Sequence, residues 1–331
     1  CFVMQATGEA PLAPLVEHLS ADPRVESAQQ VNLFDVLADN DPLYALQPSA
    51  VQWHLSELHK MTTGKRVRIA QVDSGVELDH PDLAGQVALA RNFVTGRSEA
   101  AEMHGTAVAG IIAARSDNGI GIAGIAPDAT FIALRACWET PGRSATATCS
   151  SFTLAKALQF ALDDGADVIN LSVGGPRDVL LARLLDVALS RDITVVAAAD
   201  PNVGDGGFPA SHRGVLGIAA EGTQRGSGKF LAAPGSEIPT TLPGRKWGMV
   251  SGSSFAAAHV TGLVALLLQL SPKAQPRQLR SMLAYREVPA RATDAIAEQP
   301  IFVDACAAVA RTAGICACAC AAGRHASSQN P

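Results

Sequence analysis

Residues 67–75 read V-R-I-A-Q-V-D-S-G, a mostly apolar run that ends at Asp73 and is followed by the small residues Ser74 and Gly75. A short apolar run bounded by a turn signal is typical of a strand buried on both faces. In open parallel sheets, ligands bind outside the carboxyl ends of the strands. The stretch therefore predicts a buried strand that carries the Asp73 carboxylate to the edge of a sheet where chemistry takes place.

The same pattern recurs along the chain, with helical spacing between the apolar runs. Further strands are predicted at 131–136, 166–172 and 193–199, and helices at 152–163, 179–190 and 255–270. This alternation predicts an α/β fold, a three-layer and doubly wound, mostly parallel sheet with helices on both faces. No G-x-G-x-x-G follows the first strand, which argues against a dinucleotide-binding fold.

Composition and charge exclude several function classes. The 331 residues are 48% hydrophobic with 29 glycines and 19 prolines, which suits a large packed core with many tight turns. The net charge is −5 and the basic residues are scattered, so no nucleic-acid partner is expected. The longest apolar stretch, 263–268, is too short for a membrane span, which takes about 20 residues, and we interpret it as part of a buried helix.

Residues 1–45 are predicted to form a small α+β unit of their own. A helix is predicted over 10–21 and a strand over 25–37, and the polar run that follows is typical of a linker. The main domain would then span 46–314, with a tail at 315–331. No signal peptide is visible at Cys1, so we expect a processed or truncated start; a lipid-bearing Cys1 is the alternative.

Two of the seven cysteines flank a loop that would gain from a covalent bond. Cys137 and Cys149 enclose a stretch rich in Pro, Gly, Ser and Thr. We predict a disulfide between them, which implies an oxidising compartment. Two reduced thiols are the alternative.

The cysteines near the C-terminus carry a weaker signal. Cys306 lies in an Ala-rich helical pattern and is predicted to be a small core residue. Cys316, Cys318 and Cys320 offer three sulfurs to a soft metal, whereas a closed site takes four ligands. We expect a disordered tail there, and a metal-binding or redox protein is kept as an alternative function.

Three short motifs carry residues that can act together. They read V-D-S-G from Val72, H-G-T-A-V-A-G from His104 and G-S-S-F-A-A-A-H-V from Gly252. A serine hydroxyl is a poor nucleophile until an imidazole takes its proton and a carboxylate holds that imidazole in the right tautomer. Asp73, His104 and Ser254 are therefore the candidate orienting acid, general base and nucleophile.

Other residues of the same types lack such surroundings. Asp79 and Asp82 are predicted to be solvated aspartates in turns. The histidines predicted to lie on the surface are His54, His59, His80, His212 and His325.

The motifs and their order make residues 46–314 resemble the subtilisin-like serine proteases, the subtilases. The resemblance implies a monomeric serine endopeptidase, secreted or periplasmic, that acts on protein or peptide substrates and requires no cofactor. Structural calcium is common in that family, and the turn Asp117-Asn118-Gly119 is a place where a cation could bind. Residues 1–45 resemble the C-terminal half of a subtilase propeptide, which would make the propeptide a partner of the main domain.

The resemblance also implies where a substrate would bind. Ser172-Val173-Gly174 resembles the segment that pairs with the substrate backbone as an added strand. Ala198 and Ala199 would form a wall, and Gly207 the base, of the pocket for the residue before the cleaved bond. We expect that pocket to accept large apolar side chains.

The chain departs from the family in the segment that supplies the oxyanion donor. Subtilases typically read A-A-A-G-N there, with Asn donating, whereas residues 197–202 read A-A-A-D-P-N. Asn202 would donate after a one-residue shift, and Asp200 only if protonated. Loss of one such donor costs on the order of 10²–10³ in rate. A protease-fold binding protein with weak or lost turnover is therefore the alternative function.

Overall fold

The computed structural model describes residues 12–29, 40–139, 147–223, 230–285 and 301–314. The chain separates into two compact units, Cys1–Ala38 and Asp39–Pro331. In the first unit the described element is helix α1, Leu12–Ser20. Residues 25–29, the start of the predicted strand, are irregular, and the rest of that strand lies outside the described residues.

Within the described residues, the second unit is built on a sheet of nine strands. The strands are β1 Arg68–Asp73, β2 Val87–Asn92, β3 Thr130–Arg135, β6 Val168–Leu171, β7 Thr194–Ala198, β8 Leu216–Ala220, β9 Leu231–Ala233, β12 Ala284–Tyr285 and β13 Ile301–Val303. Their order in the sheet is β12-β13-β9-β8-β7-β6-β1-β3-β2, and neighbouring strands are parallel except for the antiparallel pair β12 and β13. Two hairpins stand apart from it, β4 Cys137–Glu139 with β5 Ala147–Cys149, and β10 Ile238–Leu242 with β11 Lys246–Val250.

Helices cover both faces of the sheet, which confirms the three-layer, doubly wound α/β prediction. The helices of the second unit are α2 Pro48–Val51, α3 Leu55–His59, α4 Met103–Ala113, α5 Ser151–Asp163, α6 Val179–Ser190, α7 Ser253–Leu270, α8 Pro276–Leu283 and α9 Ala305–Ala313, after a short 3-10 turn at Tyr44–Leu46. One hydrophobic core contains α4 and α7, and a second contains α5 and α6.

The course of the chain places a crevice beside β1. Strand β1 pairs with β3 on one side and with β6 on the other. Strands are therefore added first to one side of β1 and then to the other, which opens a crevice at the carboxyl ends of the strands. Asp73 is the last residue of β1 and Ser172 directly follows β6, so both lie at this edge.

Helix α7 agrees with the helix predicted over 255–270 and begins two residues earlier. It has 18 residues, and among the described residues it is long and apolar enough to cross a membrane by length and composition. However, 78% of it is buried inside the protein. Gly262 lies so close to a neighbouring element that a Cβ there would be 2.5 Å from Ile125 Cβ. These contacts are those of a core helix, as the sequence predicts.

Candidate active site

Asp73 and His104 meet at the crevice. His104 is the second residue of α4, and its Nδ1 lies 2.7 Å from Asp73 Oδ1. The same carboxylate oxygen accepts the backbone N–H of Ser74 at 2.6 Å. Asp73 is 1% exposed, and its other oxygen has no hydrogen-bond partner within the described part of the chain. A carboxylate held in this way fixes a neutral imidazole with its proton on Nδ1, which leaves the Nε2 lone pair free to accept a proton.

Ser254 lies at the start of the core helix. Gly252 precedes the helix with φ of 144°, a conformation that favours glycine, and Ser254 is the second helical residue. Its Oγ donates to the Ser172 carbonyl at 3.2 Å, and Ser172 Oγ lies 3.0 Å from the Ser254 carbonyl. The ring of the next residue, Phe255, lies 5.6 Å from the ring of His104. The imidazole is therefore beside the helix start that carries Ser254.

A hydrogen-bonded chain fixes the end of β6 against α7. Asn170 is fully buried, and its Nδ2 donates to Thr261 Oγ1 at 2.9 Å. Ser172 Oγ lies 3.1 Å from Asn170 Oδ1. The distance between Ser172 and Ser254 is thus set by side chains that face the interior.

The electrostatics of the site act on His104. Burial by itself lowers the pKa of the imidazole, because a charged ring is poorly solvated there. The charge and the hydrogen bond of Asp73, together with the charge of Glu139, outweigh that effect and raise the pKa above its ordinary value of 6.5. The site therefore favours the imidazolium that a general base becomes when it takes a proton.

Three charged residues around this pair were missed in the sequence. Glu102 and Arg135 form a buried ion pair, each with about 7% exposure, in which Arg135 Nη2 lies 2.8 Å from Glu102 Oε1. Glu139 Oε1 accepts the backbone N–H of His104 at 2.9 Å. One signal was present, because Arg135 is a charge at the end of an otherwise apolar strand, and in the sheet it lies opposite Asp73.

The segment Ser172-Val173-Gly174 lines a cavity of about 490 Å³ that also contains Asp73 and His104. The apolar residues of its wall are Leu154, Leu158, Leu171, Leu181, Leu185 and Phe208. Directly after this segment, the Gly175 N–H donates to the Phe208 carbonyl at 2.9 Å in an isolated antiparallel bridge.

The other predicted substrate residues lie outside this cavity lining. Ala198 ends β7 and Ala199 follows it, both buried, and Ala199 N–H bonds to the Ile218 carbonyl at 2.7 Å. Gly207 has φ of +70°, and a Cβ there would come no closer than 3.7 Å to any neighbour, the nearest being Asp200 Cβ. A Cβ at Gly207 would thus be in ordinary van der Waals contact with Asp200 and Val203.

Asp200 and Asn202 form a turn at the end of β7. The Asp200 carboxylate accepts the backbone N–H of Asn202 at 2.8 Å, and the Asp200 N–H bonds to the Gly206 carbonyl at 2.8 Å. Asn202 and Pro201 are exposed. The turn is closed on itself, and it leaves the Asn202 amide at the surface.

Cys137 and Cys149 are joined by a disulfide bond and face each other across the hairpin of β4 and β5. Both line the cavity. Cys306 is buried, as expected for a core residue, but it also takes part in a disulfide, which the sequence interpretation did not foresee. Cys316, Cys318 and Cys320 lie outside the described residues.

Several predicted surface residues are buried. Asp79 is exposed as expected, but Asp82 and His80 are both 0% exposed, so the prediction was wrong for these two. His80 Nε2 donates to the Lys246 carbonyl at 2.8 Å, while its Nδ1 accepts the Asp82 N–H at 3.2 Å. The bond to Lys246, which is 166 residues further along the chain, holds the ring inside.

Among the other histidines, His54 is exposed, whereas His59 and the side chain of His212 are largely enclosed. His59 bonds to the Ile125 carbonyl and His212 to Asp186, which explains why neither is a free surface residue. His325 lies outside the described residues.

The turn Asp117-Asn118-Gly119 is held in place through its own backbone N–H groups. The Asp41 carboxylate accepts the backbone N–H of all three residues, at 2.8, 2.9 and 3.1 Å. Calcium takes six to eight oxygen ligands that face it. The described ranges contain no group of three or more His, Cys, Asp or Glu able to hold a metal. Because the Asp41 oxygens face N–H groups, the turn as arranged does not fit a calcium ion.

Comparisons with known proteins bear on the same region. Residues 64–294 match the model of a family described as the subtilase family. The thermophilic serine proteinase of Bacillus sp. strain AK1 is 35% identical over 268 residues, which are 76% of this chain and 65% of that protein. The major intracellular serine protease of Bacillus subtilis strain 168 is 33% identical over 242 residues, 66% of this chain and 74% of that protein.

A solved structure, described as proteases from Pseudoalteromonas arctica PAMC 21717, has a similar fold. The TM-score is 0.71 at 25% identity, and the match covers 83% of this chain and 99% of that chain.

Proposed function

The chain belongs to the subtilase family of serine endopeptidases, and we propose that Asp73, His104 and Ser254 are its catalytic triad. The observation that carries the proposal is the 2.7 Å hydrogen bond from His104 to Asp73 beside the helix start that bears Ser254. Orienting acid, base and nucleophile would thus come from β1, α4 and α7.

In this mechanism the Ser254 hydroxyl turns from the Ser172 carbonyl to His104 Nε2 and loses its proton as Oγ attacks the scissile carbonyl carbon. His104 then gives that proton to the leaving amine, and an acyl-enzyme remains. Water, activated by the same imidazole, releases the second product. Asp73 stays ionised throughout and stabilises the imidazolium. These steps use the three side chains and water and require no cofactor.

The oxyanion of the tetrahedral intermediate needs donors. The backbone N–H of Ser254 belongs to the first turn of α7, where N–H groups lack partners within the helix. We propose Asn202 as the side-chain donor, after a movement of its turn, because a neutral amide donates without the protonation that Asp200 would need.

Asn202→Ala should then lower kcat by roughly 10²-fold with little change in KM, since the bond forms only in the transition state. Asp200→Ala should lower kcat by a smaller factor. If Asn202→Ala is silent and Asp200→Asn raises the rate, the donor is residue 200. If neither substitution changes the rate, backbone N–H groups supply all the donors to the oxyanion.

The substrates proposed are proteins and peptides with large apolar side chains. Support comes from the apolar wall of the 490 Å³ cavity. Ser172-Val173-Gly174 would pair with the substrate backbone, and Ala198 and Ala199 would wall the pocket for the residue before the cleaved bond. Cleavage of a peptide library, with products sequenced by mass spectrometry, tests this preference.

Casein digestion by Ser254→Ala tests the triad. We expect loss of activity down to a residual rate, whereas Ser251→Ala should retain most activity because Ser251 is exposed and its Oγ accepts the Glu237 N–H. Equal digestion of casein by Ser254→Ala and the parent would contradict the assignment of Ser254 as the nucleophile. Labelling with a serine-directed organophosphorus reagent distinguishes a protease from the alternative function, because a binding protein without turnover would not be labelled at Ser254.

We further propose that the protein acts as a monomer in an oxidising compartment, secreted or periplasmic, and that residues 1–45 are a propeptide remnant. The disulfide between Cys137 and Cys149 supports the compartment, since such bonds are rare in the cytosol. Light scattering of the purified chain tests whether it is a monomer. N-terminal sequencing of the active form tests whether residues 1–45 are a propeptide remnant.

A further inference from the structure

The backbone of His104 is held by a side chain from outside its own helix. The residue that precedes α4, Glu102, makes no side-chain cap, so the first N–H groups of that helix need partners elsewhere. Glu139, from β4, supplies one, because its Oε1 accepts the His104 N–H at 2.9 Å. A carboxylate is also favoured at this position by the helix dipole.

Glu139 is in turn set in place by the buried ion pair. Its own N–H donates to Glu102 Oε1 at 3.1 Å. The Glu102 carboxylate also accepts two N–H groups of Arg135, at 2.9 and 2.8 Å, and the Gly75 N–H at 2.6 Å. One buried carboxylate thus joins the turn after Asp73 to the strand that carries Glu139.

The approach at Gly75 leaves no room for a side chain. A Cβ there would lie 1.8 Å from the Ala100 carbonyl oxygen and 3.1 Å from Glu102 Oε2. The Glu102 N–H completes the contact by donating to the Gly75 carbonyl at 3.0 Å. The turn after Asp73 and the start of α4 therefore move together.

The hairpin that carries Glu139 is short and is bonded at both ends. Glu139 pairs with Ala147 across the hairpin, and Cys137 is bonded covalently to Cys149. Because the strand is already fixed, the Glu139 side chain loses little conformational freedom when it accepts the N–H of α4.

Besides its hydrogen bond, Glu139 brings charge to the site. The charges of Asp73 on β1 and Glu139 on β4 both raise the pKa of the His104 imidazole. Other charged groups of this region are the Glu102–Arg135 ion pair and Arg177 and Asp178, which line the same cavity as His104.

We propose that Glu139 is a positioning residue for the general base: it caps α4 at His104, and the Glu102–Arg135 pair sets it in place. The inference rests on the proposed role of His104 as the base. It predicts that the neutral acceptor Glu139→Gln changes the charge felt by His104 while keeping its position, whereas Glu139→Ala changes both.

The test compares kcat, KM and their pH dependence for Glu139→Gln, Glu139→Ala and the control Glu57→Gln, an exposed residue paired with Lys60. Removing a negative charge lowers the pKa of an imidazole, so the acid limb of kcat/KM should move to lower pH by about 0.3–1 unit in both Glu139 variants. Plateau kcat should fall about 10-fold in Glu139→Ala and less than about 3-fold in Glu139→Gln, with KM nearly constant. Glu57→Gln should match the parent.

An NMR titration of the His104 ring in the Ser254→Ala background measures the same shift without using activity. An unchanged midpoint in Glu139→Gln overturns the proposal, and so does an effect on KM alone, which would make Glu139 a substrate contact. If Ser254→Ala digests casein like the parent, the triad assignment fails instead, while the titration still decides whether Glu139 acts on His104.

Discussion

We expect Asp82→Ala to destabilise the main domain by about 4 kcal/mol, because it removes the acceptor shared by three donors. Asp82 is 0% exposed. Its Oδ2 accepts the Trp247 indole N–H at 2.6 Å and the Ile122 backbone N–H at 3.0 Å. Its Oδ1 accepts the Asn118 side-chain amide at 3.0 Å.

The magnitude follows from what each donor would lose. The Ile122 N–H is buried and the indole N–H is partly buried, and a buried donor left unpaired costs about 1–3 kcal/mol. Two such donors, which also lose bonds to an ionised acceptor, give roughly 3–5 kcal/mol. The amide of Asn118 lies nearer the surface and can turn to water. Asp82→Asn keeps one acceptor oxygen, so we expect about half of the loss.

Unfolding by urea in the Ser254→Ala background measures these values without self-digestion. Asp79→Ala is the matched control, since Asp79 is exposed three residues earlier and should change the free energy of unfolding by less than about 0.5 kcal/mol. Equal stability of Asp82→Ala and Asp79→Ala would refute the reasoning.

Three further outcomes are expected. The base must be neutral to accept a proton, and Asp73 and Glu139 raise the pKa of His104. The midpoint of the acid limb of kcat/KM should therefore lie above about pH 6.5. A pH profile from a stopped assay with a midpoint below about pH 6 would contradict this. Replacing both Cys137 and Cys149 by serine should cost roughly 3 kcal/mol through the loss of a closed loop, and a non-reduced digest of the parent should contain one linked peptide pair; two free thiols would count against the bond. Asn170→Ala should cost about 1–3 kcal/mol in thermal unfolding and also lower kcat, because the end of β6 loses its tie to Thr261; an unaffected kcat would show that Ser172 needs no such support.

Much of this protein is visible in its local sequence patterns. The strand ending at Asp73, the helix 179–190 and the apolar run after Ser254 are encoded by the period and type of side chains within a few residues. The small residues around Asp73, His104 and Ser254 are likewise local, so the candidate triad and the parallel α/β sheet follow from the sequence alone. Strand ends were misplaced by only a residue or two, since the end of a run of apolar residues is not the end of its hydrogen bonds.

The tertiary structure alone decided which polar residues are buried and paired. Asp82 meets Trp247 across 165 residues of chain, and Glu102 meets Arg135 across 33. No local pattern marks such pairs, because a charged residue in a turn looks the same whether the rest of the chain covers it or not. A buried charge is tolerated only when its partners arrive with the fold, and those partners are set by strand order and helix packing. That is why the candidate triad could be predicted from the sequence while the residues proposed to position His104 could not.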